Sequence, residues 1–590
     1  MLIILKCDKF VEILKYDLVI IGSGIAGLRA ATAAAWASGG RISIAVLSKI
    51  QAMRSHSSSA EGGMSAVLYP DKTGDSLELH AYDTVKGSDF LADQDAVEIL
   101  VEHAPKEVRY LERIGVPWSR EPDGRISQRP FGGMSIPRTT FAADKTGFFI
   151  MSTLFSETRR FDNIHIYHEH FVTKFVIEDG EFKGATAYDL KRGEFKFFYA
   201  RAGIIATGGA GRLYRFTTTA HSTTGEALGY ALKAGLAIKD MEFVQWHPTA
   251  LVPSGILVSE AARGEGGYLI NKVGERFMKR YAPQKMELAP RDIVSRAILT
   301  ECMEGRGFQH ESGMCYVGLD LRHLGEEKIN RRIPFIRELA HKYAGIDVLS
   351  EPIPVRPAVH YTMGGIHTDT WGRVLTADGR WVRGLWAAGE AAAVSIHGAN
   401  RLGSNSLSEC SVWGRLTGGQ AAKYILESPQ LPSPDGGLVE VVKSEESRVF
   451  DRLLKEQHAP TPYEVKKQLN DVMEEHFGPF RHGSSMAEGL AKLKKLREFS
   501  SFKVVDSSRV YNQNLKDALE VDGMLDLALV VGVGAYARSE SRGAHYRLDY
   551  PRRDDVNWLK HIVVYMYGGE LKLLYTPVTI TRWQPGERRY

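Results

Sequence analysis

Short apolar runs separated by glycine-rich turns predict a nucleotide-binding unit near the start of the chain. YDLVII (16–21) is followed by G-S-G-I-A-G, an alanine-rich stretch and a second apolar run, ISIAVL (42–47). Together they predict strand, turn, helix and strand. In such a unit Gly22 permits the tight turn, Gly24 lets the backbone approach a pyrophosphate, and Gly27 lets helix and strand pack closely.

Two later segments predict further strands of the same fold. RAGIIATGGAG (201–211) is typical of a strand entering a glycine turn, and RGLWAAGEAAA (383–393) of a strand, a turn and the start of a helix. Ser48 and Lys49 stand where an NAD site would have an acidic residue after the second strand, so a standard NAD site is disfavoured.

The remaining patterns predict three further units. Helical patterns such as RDIVSRAILTECM indicate an insertion that returns to the nucleotide fold near Arg356. Beyond Ser428, SPQLPSPDGG predicts a linker, VKKQLNDVMEEHF and EGLAKLKKLREF predict helices with one face in solvent, and GMLDLALVVGVGAYARSE predicts another helix. The expected fold is α/β, with a Rossmann-like domain (1–242 and 356–428), an inserted α+β domain (243–355), a helical domain (429–542) and a small C-terminal domain (543–590).

Composition narrows the class of protein. Of 590 residues, 44% are hydrophobic and 25% charged, as in soluble globular proteins, and a net charge of +4 with no long Lys/Arg block disfavours nucleic acid as a partner. The apolar stretch 18–37 is broken by three glycines, and the one at 523–540 is too short to cross a bilayer, so no membrane span is expected. The N-terminus lacks the pattern of a signal peptide, so we expect an untranslocated chain.

The four cysteines, Cys7, Cys302, Cys315 and Cys410, show no C-x-x-C spacing. This argues against a zinc site, against an iron–sulfur cluster held by this chain and against a disulfide framework. We therefore expect reduced thiols and no metal site.

Four short blocks combine histidine, arginine and acidic residues with glycine in ways that core packing does not require. They are QWHPT (245–249), SEAARGEGG (259–267), HYTMGG (360–365) and HGANRLGSNS (397–406). Arg401 can bind a carboxylate through two parallel hydrogen bonds. Other donors in these blocks suit the remaining oxygens of a small dianion such as a dicarboxylate; they are His247, Ser259 and His360.

A second set of residues can move a proton. Arg291, with Glu260 and Arg263 upstream, can form a line of alternating donors and acceptors. The alternative is an ordinary buried ion-pair network.

The chain resembles the flavoprotein subunits of succinate dehydrogenase and fumarate reductase. The resemblance rests on R-S-H-S-S-S-A-E-G-G, W-H-P-T, E-A-A-R-G-E-G-G-Y, R-D-I-V, H-Y-T-M-G-G and G-A-N-R-L-G-S-N-S-L in this order. It runs from about Tyr16 to His561 and includes R-S-E-S-R-G-A-H-Y-R (538–547) and W-L-K-H (558–561). It implies that the Rossmann-like domain binds FAD and that the inserted domain caps the substrate site.

The resemblance also implies roles in holding FAD. His56 is the residue that would attach covalently to the 8α carbon of the flavin. The other cofactor positions are Gly22, Gly24 and Gly27 at the pyrophosphate, Ser48 and Lys49 on the adenosine side, Glu226 in place of the family's usual aspartate, Glu390 at the ribose, and Ser406 and Leu407 near the isoalloxazine.

By the same resemblance Arg291 transfers the proton and Glu260 and Arg263 form its relay. The dicarboxylate clamp then consists of His247, Ser259 in place of the family's usual threonine, His360 and Arg401. The implied reaction is oxidation of succinate to fumarate by hydride transfer to FAD.

The resemblance implies partners as well. Because this chain has no cysteine cluster, electrons would leave through an iron–sulfur subunit docked on a membrane anchor, which places the chain peripherally on the cytoplasmic face of the cell membrane. Three alternatives remain at this stage: fumarate reductase, a soluble enzyme of the L-aspartate oxidase type with noncovalent FAD, and a flavin-binding assembly or electron-carrier subunit. The last is disfavoured because every clamp and relay position is filled.

Overall fold

The structure, a computed structural model, describes residues 12–429, 431, 436–453, 455–499 and 501–588. The first eleven residues, with Cys7, and part of the predicted linker lie outside the described residues. Within them the chain forms these strands: β1 (Glu12–Ile21), β2 (Ile44–Ser48), β3 (Met64–Ser65), β4 (Gln128–Arg129), β5 (Thr139–Thr140), β6 (Ile164–His168), β7 (His170–Glu178), β8 (Glu181–Asp189), β9 (Glu194–Ile205), β10 (Ile238–Lys239), β11 (Val244–Leu251), β12 (Tyr268–Ile270), β13 (Phe308–Gln309), β14 (Cys315–Asp320), β15 (Ile353–Thr362), β16 (Gly365–His367), β17 (Arg373–Leu375), β18 (Trp381–Ala387), β19 (Ala392–Ala393), β20 (Lys560–Tyr567) and β21 (Glu570–Pro577).

The helices alternate with these strands in the first part of the chain and follow one another between β19 and β20. They are α1 (Ile25–Ser38), α2 (Pro70–Thr73), α3 (Leu77–Gly87), α4 (Gln94–Ile114), α5 (Thr146–Thr158), α6 (Glu226–Lys233), α7 (Ala261–Gly264), α8 (Met278–Tyr281), α9 (Arg291–Met303), α10 (Glu326–Arg332), α11 (Pro334–Ala344), α12 (Asn405–Glu427), α13 (Gly436–Glu446), α14 (Pro462–His476), α15 (Gly483–Arg497) and α16 (Gln513–Ala537).

The largest sheet has eight strands in the order β17-β18-β8-β9-β1-β2-β6, with β7 paired to β8. Strands β9, β1, β2 and β6 run parallel to one another, and β18 runs parallel to β9. The predicted strands at the start of the chain and at 201–211 and 383–393 all lie in this sheet, which confirms them. Because parallel strands are buried on both faces, their sequences read as continuous apolar runs rather than as alternating ones.

Helices α1 and α12 pack beside this sheet so closely that their backbones are almost in contact. A Cβ atom at Gly414 would lie 2.7 Å from the carbonyl oxygen of Ala26, and one at Gly418 would lie 2.3 Å from that of Ala30. The alanine-rich sequence of α1 is therefore explained by its neighbour, since only small residues on both helices permit this approach. The two helices cover the strands whose carboxyl ends form the site described below.

The prediction of a helix directly after β18 is wrong. A short 3-10 turn, Gly389–Ala391, and the two-residue strand β19 follow β18, and the next helix, α12, begins only at Asn405. Gly389 has a φ of +67°, and its added Cβ would lie 2.9 Å from that of Ala26. The left-handed turn interrupts the chain where a helix would otherwise start.

A second hydrophobic core forms around an antiparallel sheet in the order β11-β15-β14-β12, with β13 paired to β14. Helix α9 has the bounds of the predicted RDIVSRAILTECM helix and packs its Val294 and Ile298 into this core. Residues from outside the segment 243–355 join the same core, namely Phe131, Met134 and Leu402.

The predicted helices after residue 460 are confirmed as α14, α15 and α16. They share the main hydrophobic core with the nucleotide fold. After α16 the hairpin of β20 and β21 extends the sheet β19-β16-β10-β20-β21, so the end of the chain returns to the first domain. No helix among the described residues is long and apolar enough to cross a membrane.

The expectation of reduced thiols is wrong for one pair, since Cys302 and Cys315 form a disulfide with a Cα–Cα distance of 5.8 Å. Cys302 lies in the last turn of α9, and the hairpin of β13 and β14 brings Cys315 back to it. Gly307 leaves the room for the bridge, because a Cβ there would lie 2.2 Å from the sulfur of Cys315. Cysteine spacing alone does not reveal such a pairing.

A buried histidine ties the C-terminal hairpin to the rest of the fold. His561 of β20 contacts Asp240 through Nδ1 (2.5 Å) and Asp93 through Nε2 (3.2 Å). Burial alone would lower the pKa of His561, but the two carboxylates outweigh it and raise the pKa to about 9. The charged imidazole therefore stabilises the folded state.

We predict that His561→Gln lowers the thermal unfolding temperature most at pH 6 and progressively less as the pH rises. The pKa of His561 is higher in the folded chain than in the unfolded one, so its contribution is complete below about pH 6.5 and is lost as the pH rises through about 9. The raised pKa corresponds to on the order of 3 kcal/mol. His341→Gln, a change at an exposed position of α11, is the control. A difference between wild type and His561→Gln that is the same at pH 6 and pH 10 would contradict the prediction.

Candidate active site

A cleft of about 810 Å³ opens at the carboxyl ends of the parallel strands β1, β2, β9 and β18. In open α/β sheets this edge is where ligands bind. The cleft is lined by nearly all the sequence-predicted cofactor residues: Gly22, Gly24, Ser48, Lys49, His56, Glu226, Glu390, Ser406 and Leu407. Gly27 is the exception, because it lies beneath the turn.

The glycines at the start of α1 have the geometry that the sequence predicts. Gly22 has a φ of +113°, and a Cβ there would lie 2.1 Å from the carbonyl oxygen of Ala206. A Cβ at Gly27 would lie 2.0 Å from the carbonyl oxygen of Gly22, so Gly27 permits close helix–strand packing. Gly24 offers the N-terminus of α1 no side-chain cap, the Ile25 N–H there donates to Ser57 Oγ at 3.3 Å, and the terminus faces the cleft, where a phosphate would bind.

At the end of β2, Lys49 is held between two carboxylates. Its ammonium lies 2.8 Å from Glu226 and 2.9 Å from Glu520 of α16. Burial alone would lower the pKa of Lys49, but these two carboxylates raise it to about 12. Ser48 Oγ lies 2.6 Å from Ser23 Oγ. Lys49 therefore neutralises and orients Glu226 in the cleft wall.

His56 lies on the cleft wall in the short 3-10 helix His56–Ser59. Its Nδ1 accepts a hydrogen bond from the backbone N–H of Ala220 at 3.2 Å. Burial and the nearby charge of Arg212 lower the pKa of His56 to about 4. The imidazole is therefore neutral at physiological pH, with its proton on Nε2.

Glu390 reaches the cleft from the turn after β18. Its Oε1 accepts a hydrogen bond from the backbone N–H of Thr362 at 2.9 Å, and burial raises the pKa of Glu390 to about 7. Gly209 makes room for it, since a Cβ there would lie 2.2 Å from the Glu390 oxygen.

A second cavity of about 50 Å³ adjoins the cleft. It shares six lining residues with the cleft: Ala60, Glu61, Leu257, His360, Ser406 and Leu407. Six of the seven predicted substrate and proton-transfer residues line it: His247, Ser259, Glu260, Arg291, His360 and Arg401. The seventh, Arg263, stands behind Glu260. The sequence-predicted set is thus brought together at one place.

The proposed proton line is hydrogen-bonded from Arg291 to Glu260, and Arg263 lies just beyond hydrogen-bond distance of Glu260. Arg291, the first residue of α9, donates from Nε to Glu260 Oε2 at 2.8 Å, and Arg263 Nη2 lies 3.6 Å from the same oxygen. Glu260 Oε1 accepts the backbone N–H of Gly132 at 2.6 Å. Burial would raise the pKa of Glu260, but Arg291 and Arg263 hold it at about 2.

The two histidines of the small cavity come from paired strands. His247 of β11 and His360 of β15 have ring centroids 4.9 Å apart. Burial lowers the pKa of each well below its usual value, and the neighbouring charges of Arg291 and Arg401 act in the same direction. Both rings are therefore neutral, and the Nδ1 of His360 lies 2.7 Å from Thr218 Oγ1.

Arg401 lies before α12 with its guanidinium 4.5 Å from the ring centroid of Tyr361. Its Nε is buried and has no hydrogen-bond partner within the described residues. Burial and the charge of Arg291 lower the pKa of Arg401 to about 10, so it stays protonated at neutral pH. The cavity thus presents a cation with unused donors beside neutral imidazoles, which suits a bound anion.

Comparisons with known proteins give the same picture. The FAD binding domain family matches residues 17–407, and the fumarate reductase flavoprotein C-terminal family matches residues 466–590. The fumarate reductase flavoprotein subunit of Mycobacterium tuberculosis is 44% identical over 98% of this chain and 99% of its own length. The chain belongs to the family of fumarate reductase and succinate dehydrogenase flavoprotein subunits. It is an FAD-dependent oxidoreductase, which confirms the resemblance.

Two further comparisons cover nearly all of the chain. The succinate dehydrogenase flavoprotein subunit of Rickettsia bellii is 43% identical over 96% of both chains. A mutant of the E. coli quinol fumarate reductase FrdA superposes with a TM-score of 0.92 and 42% identity, covering 98% of this chain and 99% of that one. The fold predicted for the family is therefore confirmed. The cleft, with the N-terminus of α1 in its wall and a volume in the range of cofactor sites, fits FAD.

Sequence reasoning missed two buried residues of this flavoprotein's site. Gln245 accepts from Arg291 Nη1 at 3.0 Å and donates to the backbone oxygen of Arg401 at 2.7 Å, so one amide joins the two arginines. Glu61 lines both cavities, and burial together with Asp144 raises its pKa well above the usual value. Gln245 lies in the quoted motif QWHPT, and Glu61 lies before the glycine pair of AEGG. Neither a single amide nor a single carboxylate in such a motif indicates a function by itself. Among the described residues no cluster could hold a metal ion.

Proposed function

We propose that this chain oxidises succinate to fumarate as the flavoprotein subunit of a succinate:quinone oxidoreductase. The observation that carries the proposal is the small cavity, which holds Arg291 and Arg401 and opens onto the FAD cleft. Two cations suit the two carboxylates of a C4 dicarboxylate. The volume of about 50 Å³ admits only a small substrate.

Binding follows from the donors that the cavity offers. Arg401 binds one carboxylate with its unused guanidinium donors, and the neutral imidazoles of His247 and His360 donate to carboxylate oxygens. Ser259, 1% exposed, keeps the hydroxyl donor of the threonine usual at this position. Residues 243–355 act as the capping domain, which excludes water when the site closes.

Bound FAD supplies the acceptor for the hydride that leaves one carbon of succinate. Arg291 takes the proton from the neighbouring carbon as it gives its own Nε proton to Glu260, to which it is hydrogen-bonded, so its guanidinium carries a single charge before and after the step. Glu260 would then hand its proton to Arg263 in the same way, with Arg263 releasing one of its own protons away from the cavity. In the reverse direction Arg291 donates the proton. Polarisation of a substrate carboxylate by Arg401 and the histidines makes the proton easier to remove.

His56 is proposed to hold the flavin covalently. It lies on the cleft wall, its burial keeps the imidazole neutral, and the hydrogen bond from Ala220 to Nδ1 fixes the ring orientation. Nε2 is then the nitrogen that would bond to the flavin, after it gives up its proton. The neighbouring serines and glycines leave room for the edge of an isoalloxazine ring. A covalent link raises the reduction potential of a flavin, which favours succinate oxidation.

The direction of the reaction and the partner subunits are also part of the proposal. Relatives of both names match this chain equally well, so fumarate reduction by the same residues is the second candidate. The matching E. coli protein is a quinol fumarate reductase, which supports an iron–sulfur subunit and a membrane anchor as partners. We propose that the chain lies peripherally on the cytoplasmic face of the membrane as part of such a complex.

Covalent attachment is tested on the denatured holoenzyme. We predict that the acid-precipitated chain shows flavin fluorescence in its band on a denaturing gel. His56→Ser should keep FAD bound in the folded protein, lose the fluorescent band and lose succinate oxidation. Ser58→Ala, two residues away in the same turn, is the control and should keep the band. Flavin released from the wild-type chain into the supernatant would contradict the proposal and restore the aspartate-oxidase type of reaction.

The proton-transfer role is tested by Arg291→Ala. We predict that kcat falls by a factor of about 10³ while the FAD content stays the same, because the variant removes the proton-transferring group but no residue of the FAD cleft. Arg322→Ala, at an exposed arginine paired to Asp320, is the control and should keep full turnover. Turnover of Arg291→Ala within tenfold of wild type would assign the proton to another residue.

A further inference from the structure

The motif R-S-E-S-R-G-A-H-Y-R has no part in either cavity, although its charged side chains are buried. Arg538, Glu540, Arg542 and His545 are each 1% exposed or less. The N–H of Arg542 donates to the oxygen of His545 at 2.8 Å, and the N–H of His545 returns the bond at 3.0 Å. These two bonds close a tight turn that has Gly543 and Ala544 at its tip.

One side of this tip contacts the loop that carries Arg401. The backbone N–H of Ala544 donates to the carbonyl oxygen of Ala399 at 2.8 Å, two residues before Arg401. Gly543 has a φ of +53°, and a Cβ there would lie 2.4 Å from the same carbonyl oxygen. The turn therefore packs directly on the backbone of the Arg401 loop, at a distance that only glycine allows.

The other side of the tip contacts the helix that begins with Arg291. The carbonyl oxygen of Gly543 accepts a hydrogen bond from Nη1 of Arg296 on α9 at 2.8 Å. Arg296 also pairs with Asp292, the residue next to Arg291, at 3.1 Å. The position of the first turn of α9 is thus coupled to the same two-residue tip.

A second path leads from the tip to α9 through Asp89. The N–H of Gly543 donates to Asp89 Oδ2 at 2.8 Å. Arg588, from the end of the chain, lies 3.1 Å from this carboxylate and 3.1 Å from that of Asp292. The loop that carries Arg401 and the helix that begins with Arg291 therefore both contact this one turn.

Holding these segments apart has a physical purpose. Two buried guanidinium groups repel each other, and a rigid backbone is needed to keep them at one cavity before an anion arrives. Gln245 links the Arg291 side chain to the Arg401 backbone, but it does not fix the backbone of α9. Ser295 Oγ ties α9 to β11 by donating to the Trp246 oxygen at 2.9 Å, and the turn adds a constraint that α9 shares with the Arg401 loop.

We propose that the Gly543–Ala544 turn is a positioning element that fixes the separation of Arg291 and Arg401 and thereby sets the affinity for the dicarboxylate. The inference rests on the proposed function, because it assigns both arginines to the substrate. The turn lies in the C-terminal part of the chain and lines neither cavity, so the cavity residues alone do not show that it contributes to substrate affinity.

The first test is Gly543→Ala in the FAD-loaded enzyme. A methyl group must push the Ala399 carbonyl away, so we expect kcat/KM for succinate to fall about 30-fold or more, since a displacement of about 1 Å costs about 100-fold. Equilibrium affinity for malonate, a dicarboxylate that cannot be desaturated, should fall in parallel, read from the flavin absorbance. The FAD content should stay at the wild-type level. Gly568→Ala is the matched control, with a φ of +59° and open space around the added methyl group.

A second pair of variants decides the question if Gly543→Ala does not fold. Arg296→Ala removes the bond to the Gly543 oxygen, and we expect malonate affinity and kcat/KM to fall about fivefold to tenfold with full FAD content. Arg296→Lys keeps a donor and should recover part of this loss. Arg331→Ala is the control, because it removes an exposed partner of Glu327 at the same i,i+4 spacing.

The outcomes separate this inference from the proposed function. Wild-type enzyme that binds neither malonate nor succinate refutes the function. The positioning role is refuted if wild-type enzyme binds both ligands but Gly543→Ala or Arg296→Ala differs from it by less than twofold in malonate affinity and in kcat/KM. Equal losses in the controls Gly568→Ala and Arg331→Ala refute it as well.

Discussion

The burial of two guanidinium groups beside one small cavity is the constraint around which this molecule is organised. Arg291 has a carboxylate partner in Glu260, whereas the Nε of Arg401 has no partner within the described residues and its charge lies over the ring of Tyr361. A buried cation without a counter-ion is costly, and a dianionic ligand relieves that cost. Burial, aided by the same crowding of positive charge, lowers the pKa of His247 and His360 and keeps them neutral, so they act as hydrogen-bond donors and not as further cations.

The fold meets this constraint by bringing the charged groups from separate parts of the chain. Arg291 begins a helix of the second core, His247 and His360 lie on paired strands, and Arg401 stands on a loop before α12. The adjoining cleft is built from the first strands and from glycines that leave space for a nucleotide. The two cavities meet at six shared residues, among them Glu61, His360 and Leu407.

The sequence predicts those parts of the structure that have a local signature. Apolar runs with glycine turns predict β1, β2, β9 and β18, and the clustering of histidine and arginine near glycine predicts six of the residues that line the small cavity. Long-range pairings have no such signature. The Cys302–Cys315 bridge and the bridging amide of Gln245 depend on which strands come together, and the left-handed turn at Gly389 replaces a helix that local propensity favours. Lys49 shows the same limit, since its partner Glu520 lies on a helix far along the chain.

In the proposed reaction a C4 dicarboxylate binds between the two arginines and exchanges a hydride with the flavin. The most direct measurement is the visible absorbance of the purified FAD-loaded chain, without oxygen, before and after addition of succinate. We expect succinate to bleach the flavin and fumarate to restore the oxidised spectrum. A flavin that dithionite bleaches but that neither succinate nor fumarate affects would contradict the account.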